Sequence, residues 1–292
     1  MNFSHKLRTL RKQFDFSQEQ LAEKINVSRQ AITKWETNEG LPDIENLITV
    51  ANLFSVQIDD LLSNEKLVRT ASAYKYKSDT EYDISQLSHF DIHAPGALEV
   101  CLTVSENEKL RVSLASNVLQ SVAKDYKVKL DEHRNRLDVD IHRVGKTREA
   151  EGKEGLLINI SLPVNYCKEA ELSVITNILR LNSLHFPFEF DGKTNHVYLE
   201  SVKGTVALNC NTDMIIFANT LPNAIEINQI NATSELSIPK GSKYYTKIKG
   251  KSNKIQYMTE NKLCEAPSET EAENRIVVAG MNVELLIKQV SL

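Results

Sequence analysis

No stretch of this 292-residue chain approaches the roughly 18 to 20 uninterrupted apolar residues that a membrane-spanning helix needs. The N-terminus, Met1 to Lys6, opens a polar helix and not the apolar segment of a secretory leader. The expectation is a cytoplasmic chain without a membrane partner. Cysteine is sparse and scattered: Cys101, Cys167, Cys210 and Cys264 stand far apart, with no CxxC or CxxH pair of the kind a structural zinc site uses, so buried free thiols are expected. The seven histidines form no HExxH and no His-x-His, and His89 and His93 read as structural or solvated. Gly145-Lys146-Thr147 ends like a phosphate-binding loop but lacks its upstream glycine, so it reads as a turn. Paired-carboxylate motifs are missing as well. Neither metal nor cofactor is expected, and the chain does not read as an enzyme. An excess of positive charge is also lacking: the formal net charge is −4, which argues against a general polyanion binder and leaves only a local basic surface for nucleic acid.

With 41% hydrophobic and 25% charged residues, the chain has globular composition and enough length for two domains. Apolar residues recur three and four apart through the first part: Phe3, Leu7, Leu10, Phe14; Leu21, Ala22, Ile25; Ile32, Trp35; Ile44, Leu47, Ile48, Ala51, Phe54; Ile58, Leu61, Leu62. Five short helices within residues 1–63 fit this pattern. Ser17 with Gln20 three residues on forms a capping-box signature, Ser28 opens a third helix, Gly40 closes the loop after it, and Pro42-Asp43 precedes a fourth. Residues 64–86 are polar and aperiodic and read as a linker.

From residue 87 to 292 the period changes to two. Glu99–Val104, Leu110–Leu114, Lys127–Leu130 and Arg136–Ile141 read as strands joined by hairpins, and Leu156–Leu162 is the most apolar strand. Phe188, Val197, Val206 and Ile215 then open very short strands nine residues apart, continued less strictly at Ile225 and Glu235. A run of three-residue strands at fixed period predicts an all-β domain of the β-solenoid type, with a β-sandwich as the alternative.

The segment that carries chemistry is Ser17–Glu36. Ala22 falls where two steeply crossing helices come closest; Leu21, Ile25, Val27, Ile32 and Trp35 fill the wedge behind it, and Asn26 sits at a turn that needs a left-handed residue. Ser28, Arg29, Gln30, Thr33 and Lys34 remain outward, and these side chains suit base edges and phosphates.

These residues resemble the Xre-type helix-turn-helix domains of the lambda repressor and Cro. The likeness covers residues 3–63: Arg8 to Lys12, Ser17-Gln-x-x-Leu-Ala22, Trp35-Glu36, and Leu41-Pro42 followed by Leu47 and Ala51. It implies a sequence-specific regulator of double-stranded DNA, read as a repressor. Gln18 would cap the second helix against a phosphate, Ser28, Arg29, Gln30 and Lys34 would face the major groove, and Thr33 would touch a thymine methyl or the backbone. Arg11 and Glu36 would form a buried ion pair between the first and third helices. Two departures stand out. Asn26 replaces a common glycine, and the acidic Glu39 falls where a basic phosphate contact is frequent, which bears on affinity. The later half is similar to adhesin-like β-solenoid domains through strand-proline endings at Pro163 and Pro239 and its nine-residue rungs, which implies a module for homodimeric or higher assembly. The alternative is a sensing module that binds a ligand or protein and controls DNA binding. A self-cleaving repressor is disfavoured, because the Ala279-Gly280 step lies near the C-terminus and not between the domains.

Overall fold

A computed structural model describes residues 3–14, 16–54, 74–259, 262–266, 272 and 274–290. The chain divides into two compact units, Met1–Tyr74 and Lys75–Leu292.

The first unit holds α1 (Phe3–Gln13), α2 (Gln18–Lys24), α3 (Arg29–Glu36) and α4 (Ile44–Phe54). The fifth helix, expected around Ile58 to Leu62, lies outside the described residues. Ser17 accepts from the Gln20 N–H at 3.1 Å while Gln20 accepts from the Ser17 N–H at 2.7 Å, so two otherwise unpaired donors of α2 are met reciprocally. Asp43 caps α4 by accepting from the Asn46 N–H at 2.8 Å. Both helices of the central pair end in the same manner. After α2, Asn26 takes φ +56 and Val27 N–H reaches Ala22 O at 2.9 Å; after α3, Asn38 takes φ +64 and Glu39 N–H reaches Lys34 O at 2.9 Å. The left-handed residue closing α3 is therefore Asn38, two positions before the expected Gly40. Phe3, Leu7, Leu10, Leu21, Ala22, Ile25, Ile32, Trp35, Leu47, Val50, Ala51 and Phe54 form one core. Its stripe on α4 runs 47, 50, 51, 54, which leaves Ile48, expected inside, 42% exposed.

The second unit contains seventeen strands among the described residues, with two short helices, α5 (Val122–Asp125) and α6 (Glu149–Gly155). The strands are β1 (Tyr76–Asp83), β2 (Ser88–His93), β3 (Ala97–Ser105), β4 (Lys109–Ser116), β5 (Tyr126–His133), β6 (Arg136–Arg143), β7 (Leu157–Pro163), β8 (Cys167–Asn182) and β9 (Phe188–Lys193). Then come β10 (His196–Glu200), β11 (Thr205–Cys210), β12 (Ile215–Ala218), β13 (Ala224–Pro239), β14 (Tyr244–Ile248), β15 (Lys254–Thr259), β16 (Lys262–Cys264) and β17 (Asn274–Val290).

They form two mainly parallel ladders. One runs β7–β3–β8–β10–β12–β13–β17–β15 and the other β6–β2–β8–β9–β11–β13–β17–β14. The three long strands β8, β13 and β17 belong to both. The nine-residue period thus alternates between ladders: Phe188 pairs with Val206 and Val197 with Ile216, so successive short strands enter alternate ladders. Each ladder lines up buried columns, such as Ile92–Leu172–Phe190–Leu208–Ile227–Val278, that meet in one core. The long strands turn at Asn231 (φ +53), Gly280 (φ +109) and Asn282 (φ +54), and the Asn282 amide donates to Asn231 at 2.8 Å.

Three expectations are corrected. Residues 76–83, placed in the linker, form β1, an edge strand against β4; its alternation is hidden because its outer positions Asp79, Glu81 and Asp83 are charged and its inner ones only half buried. Strands β3 and β4 form no hairpin with each other: β3 pairs with β7 and β8, and β4 with β1 and β7, while β5 and β6 do form one. Of the thiols, Cys167 and Cys210 are buried, Cys101 is half-buried and Cys264 is exposed. Ala279 and Gly280 pair with Asn228 and Gln229 inside β17.

Candidate nucleic-acid interface

The N-terminal unit presents α3 on a frame made by α1 and α2. Arg11, in the last turn of α1, donates from Nε and Nη2 to the two carboxylate oxygens of Glu36 at 2.5 and 3.0 Å. Its Nη1 donates to Phe16 O at 2.7 Å and fixes the loop into α2. Gln18 Nε2 donates to the same carboxylate at 2.9 Å, so one acidic group at the end of α3 clasps three helices. The Arg11 and Glu36 side chains are only 12% and 3% exposed, and a two-pronged, hydrogen-bonded geometry is what keeps such a buried pair from being costly.

The outward residues lie on one side of α3. Ser28 caps the helix by accepting from the Ala31 N–H at 3.2 Å, which leaves its hydroxyl proton free to donate outward. Arg29 is 64% exposed, with Glu19 on α2 at 3.7 Å. Gln30 and Lys34 are exposed and their side chains have no partner among the described residues. Thr33 Oγ1 lies 3.2 Å from Gln18 Oε1 and 3.1 Å from Arg29 O, so its single proton serves one of them at a time. The structure thus brings Gln18, Ser28, Arg29, Gln30, Thr33 and Lys34 to one polar surface and puts Arg11 and Glu36 beneath it.

Two contacts escape local sequence patterns. Gln18 is engaged by Glu36, eighteen residues away, and Ser4 Oγ donates to the Asn38 side chain at 2.8 Å, tying the start of α1 to the end of α3. Both depend on tertiary packing, which spacing along one helix does not encode. Among the described residues no group of three or more His, Cys, Asp or Glu is placed to hold a metal ion, and no helix is long and apolar enough to cross a membrane.

Two helices crossing over a small alanine, joined by a left-handed asparagine, with the second helix capped and polar on its free side, define a helix-turn-helix unit. A helix-turn-helix family model matches residues 7–61. The HTH-type transcriptional activator BcrR of Enterococcus faecalis is 49% identical over 71 residues, 24% of this chain and 35% of that protein. The transcriptional repressor RstR of a cryptic phage of Vibrio cholerae is 36% identical over 61 residues, 21% of this chain and 54% of that protein. An HTH-type regulator of Bacillus subtilis, YqaE, is 37% identical over 82 residues, 27% of this chain and 70% of that protein. This chain belongs to the helix-turn-helix family. It spans about a third of the length of BcrR and about half that of RstR. The β unit is similar to the solved structure of a proposed cell adhesion protein from Clostridium sporogenes, at 13% identity and a TM-score of 0.41, over 74% of this chain and 100% of that one.

Proposed function

We propose that this protein is a cytoplasmic, sequence-specific regulator of transcription that reads the major groove of double-stranded DNA with helix 28–36 and assembles through its β unit. The observation that carries this reading is the free polar face of α3 above the Arg11–Glu36–Gln18 clasp. Arg29 suits the O6 and N7 acceptors of guanine, Gln30 the N6 and N7 pair of adenine, and Lys34 a phosphate. The free second proton of the Gln18 amide suits a backbone phosphate. Repression follows the example of RstR, whereas BcrR is named an activator; operator position relative to the promoter decides the sign. The two ladders, threaded by β8, β13 and β17, support reading the β unit as a β-solenoid.

The test is a competition assay with the full chain. Arg29→Ala is expected to cost about 1 to 3 kcal/mol of discrimination at one base position while non-specific binding persists. Selectivity equal to that of the unsubstituted chain contradicts the role of Arg29.

A sensing role is favoured by one observation. A groove of about 620 Å³ is lined by His93, Asp140, His142, Asp191 and Tyr126, and the buried Tyr126 hydroxyl has no hydrogen-bond partner among the described residues. A small molecule that raises the melting temperature of the full chain, and loses that effect with Tyr126→Phe, supports sensing.

A further inference from the structure

The outer face of the second ladder is divided by charge along its length. On β6, β2, β8 and β9 the outward side chains include Asp138, Asp140, Glu169, Glu171, Glu189 and Asp191. Arg136, Lys168 and Lys193 are the lysines and arginines beside them, with His89 against Glu169 and His142 against Asp140, and Arg136 is already engaged by Asp91 and Asp138. At the far end the sign reverses. Residues 240–258 contain six lysines and no acidic residue. Lys243, Lys247 and Lys249 alternate along β14 and its flanks, pointing to the outer side with Tyr245, and Lys251 follows. Lys249 is held by Glu226 at 2.9 Å, whereas Lys243, Lys247 and Lys251 form no ion pair among the described residues.

Between these ends the charge is sparse: β11 places Ala207 and Asn209 on the outer side, β13 places Asn228 and Glu226, the latter held by Lys249, and β17 places Arg275 beside the covered Val277 and Ala279. From β8 to β14 is five strand spacings, about 24 Å.

We propose that this face is where two copies of the chain meet, packed about a two-fold axis near β11 so that the acidic end of each covers the basic end of the other. A two-fold interface must be complementary to itself, and a face with opposite charges at its two ends meets that condition. Stacked in the same direction, the two faces would oppose like charges, so the arrangement also selects orientation. An edge strand rich in lysine is protected against strand-to-strand pairing, which leaves the face and not the edge of β14 as the contact. This deepens the assembly part of the proposed function. It is tested without DNA, so its failure leaves the DNA-reading part standing.

The experiment measures the mass of the full chain in solution by sedimentation at high micromolar concentration. The wild type is expected to be a dimer whose dissociation constant rises at least about tenfold between about 0.05 and about 0.5 M salt. The variant Lys243→Glu/Lys247→Glu/Lys251→Glu makes both ends acidic, and Glu171→Lys/Glu189→Lys/Asp191→Lys makes both ends basic. Each alone is expected to be monomeric with an unchanged circular dichroism spectrum, and an equal mixture of the two is expected to pair. A monomeric wild type, a dimer indifferent to salt, a variant that still dimerises like the wild type, or two folded variants that stay apart when mixed overturns the proposal. The wild-type salt series decides the matter even if a triple variant fails to fold.

Discussion

Glu36 shows how one side chain sets the geometry of a surface it does not join. Its carboxylate takes hydrogen bonds from Arg11 twice and from Gln18 once, and it is almost wholly covered. Glu36→Ala leaves a guanidinium under cover without its counter-charge, and such a loss costs about 3 to 5 kcal/mol. The expected outcome is a large fall in the unfolding temperature of the N-terminal unit, read by denaturation of the full chain. A change under about 1 kcal/mol would show the clasp to be dispensable. The thiols differ for an equally local reason. Burial, then the neighbouring Glu99 carboxylate, pushes the Cys101 thiol up to about 12, and burial, then Glu169, pushes Cys167 up as well. The thiolate is the reactive form, so near neutral pH a thiol reagent is expected to label exposed Cys264 first and Cys101 and Cys167 only on unfolding, as read by mass spectrometry.

At the scale of elements, turns carry much of the specification. Asn26 is left-handed between α2 and α3, and Asn26→Ala is expected to destabilise by about 1 to 2 kcal/mol while Asn26→Gly does not, as measured by thermal melting. Gly280 makes the corresponding point in β17. A methyl group there would sit 1.8 Å from Gln229 O at a φ of +109, so Gly280→Ala is expected to displace the β13–β17 pairing or leave the protein insoluble. Edge strand β1 is held by cross-strand charge. The Arg111 guanidinium, hydrogen-bonded to Glu81, holds that carboxyl below its ordinary 4.5, with Lys109 adding to the effect. A lowered folded value means the contribution is present above the ordinary value and is lost as pH falls through the folded one. Amide exchange in Tyr76–Asp83 is therefore expected to speed up below pH 4.5, relative to β3, in wild type and much less in Glu81→Gln.

The helical elements were legible because their signals are local: Ser17 with Gln20, Ser28 and Asn26 each act within four residues. The position of Ile48 was not, because apolar residues at 47, 48, 50, 51 and 54 admit two stripes, and only packing into the shared core chooses between them. The strands from 188 to 218 were legible as a period, but not their alternation between ladders, since partners lie eighteen or nineteen residues apart. The long strands β8, β13 and β17 went unread for a physical reason. Each changes ladder partway, and alternation slips there, as at Ile178 and Leu179 on β8, so neither half looks like a long strand. The polar surface of α3 was visible from the sequence, whereas the engagement of Gln18 by Glu36 needed the fold.

For the molecule as a whole, the two units carry different kinds of information. The helical unit carries the exposed polar side chains proposed to discriminate between bases, and the β unit carries the face proposed for self-association. The exposed face of α3 is proposed to read DNA sequence. The most direct test is selection of bound duplexes from a random pool by the full chain at fixed moderate salt, beside the Arg29→Ala/Gln30→Ala variant. The wild type is expected to enrich one short motif, and the variant to bind the pool but enrich no motif or a degenerate one. A wild type that enriches nothing, or a variant that enriches the same motif equally well, would contradict that reading.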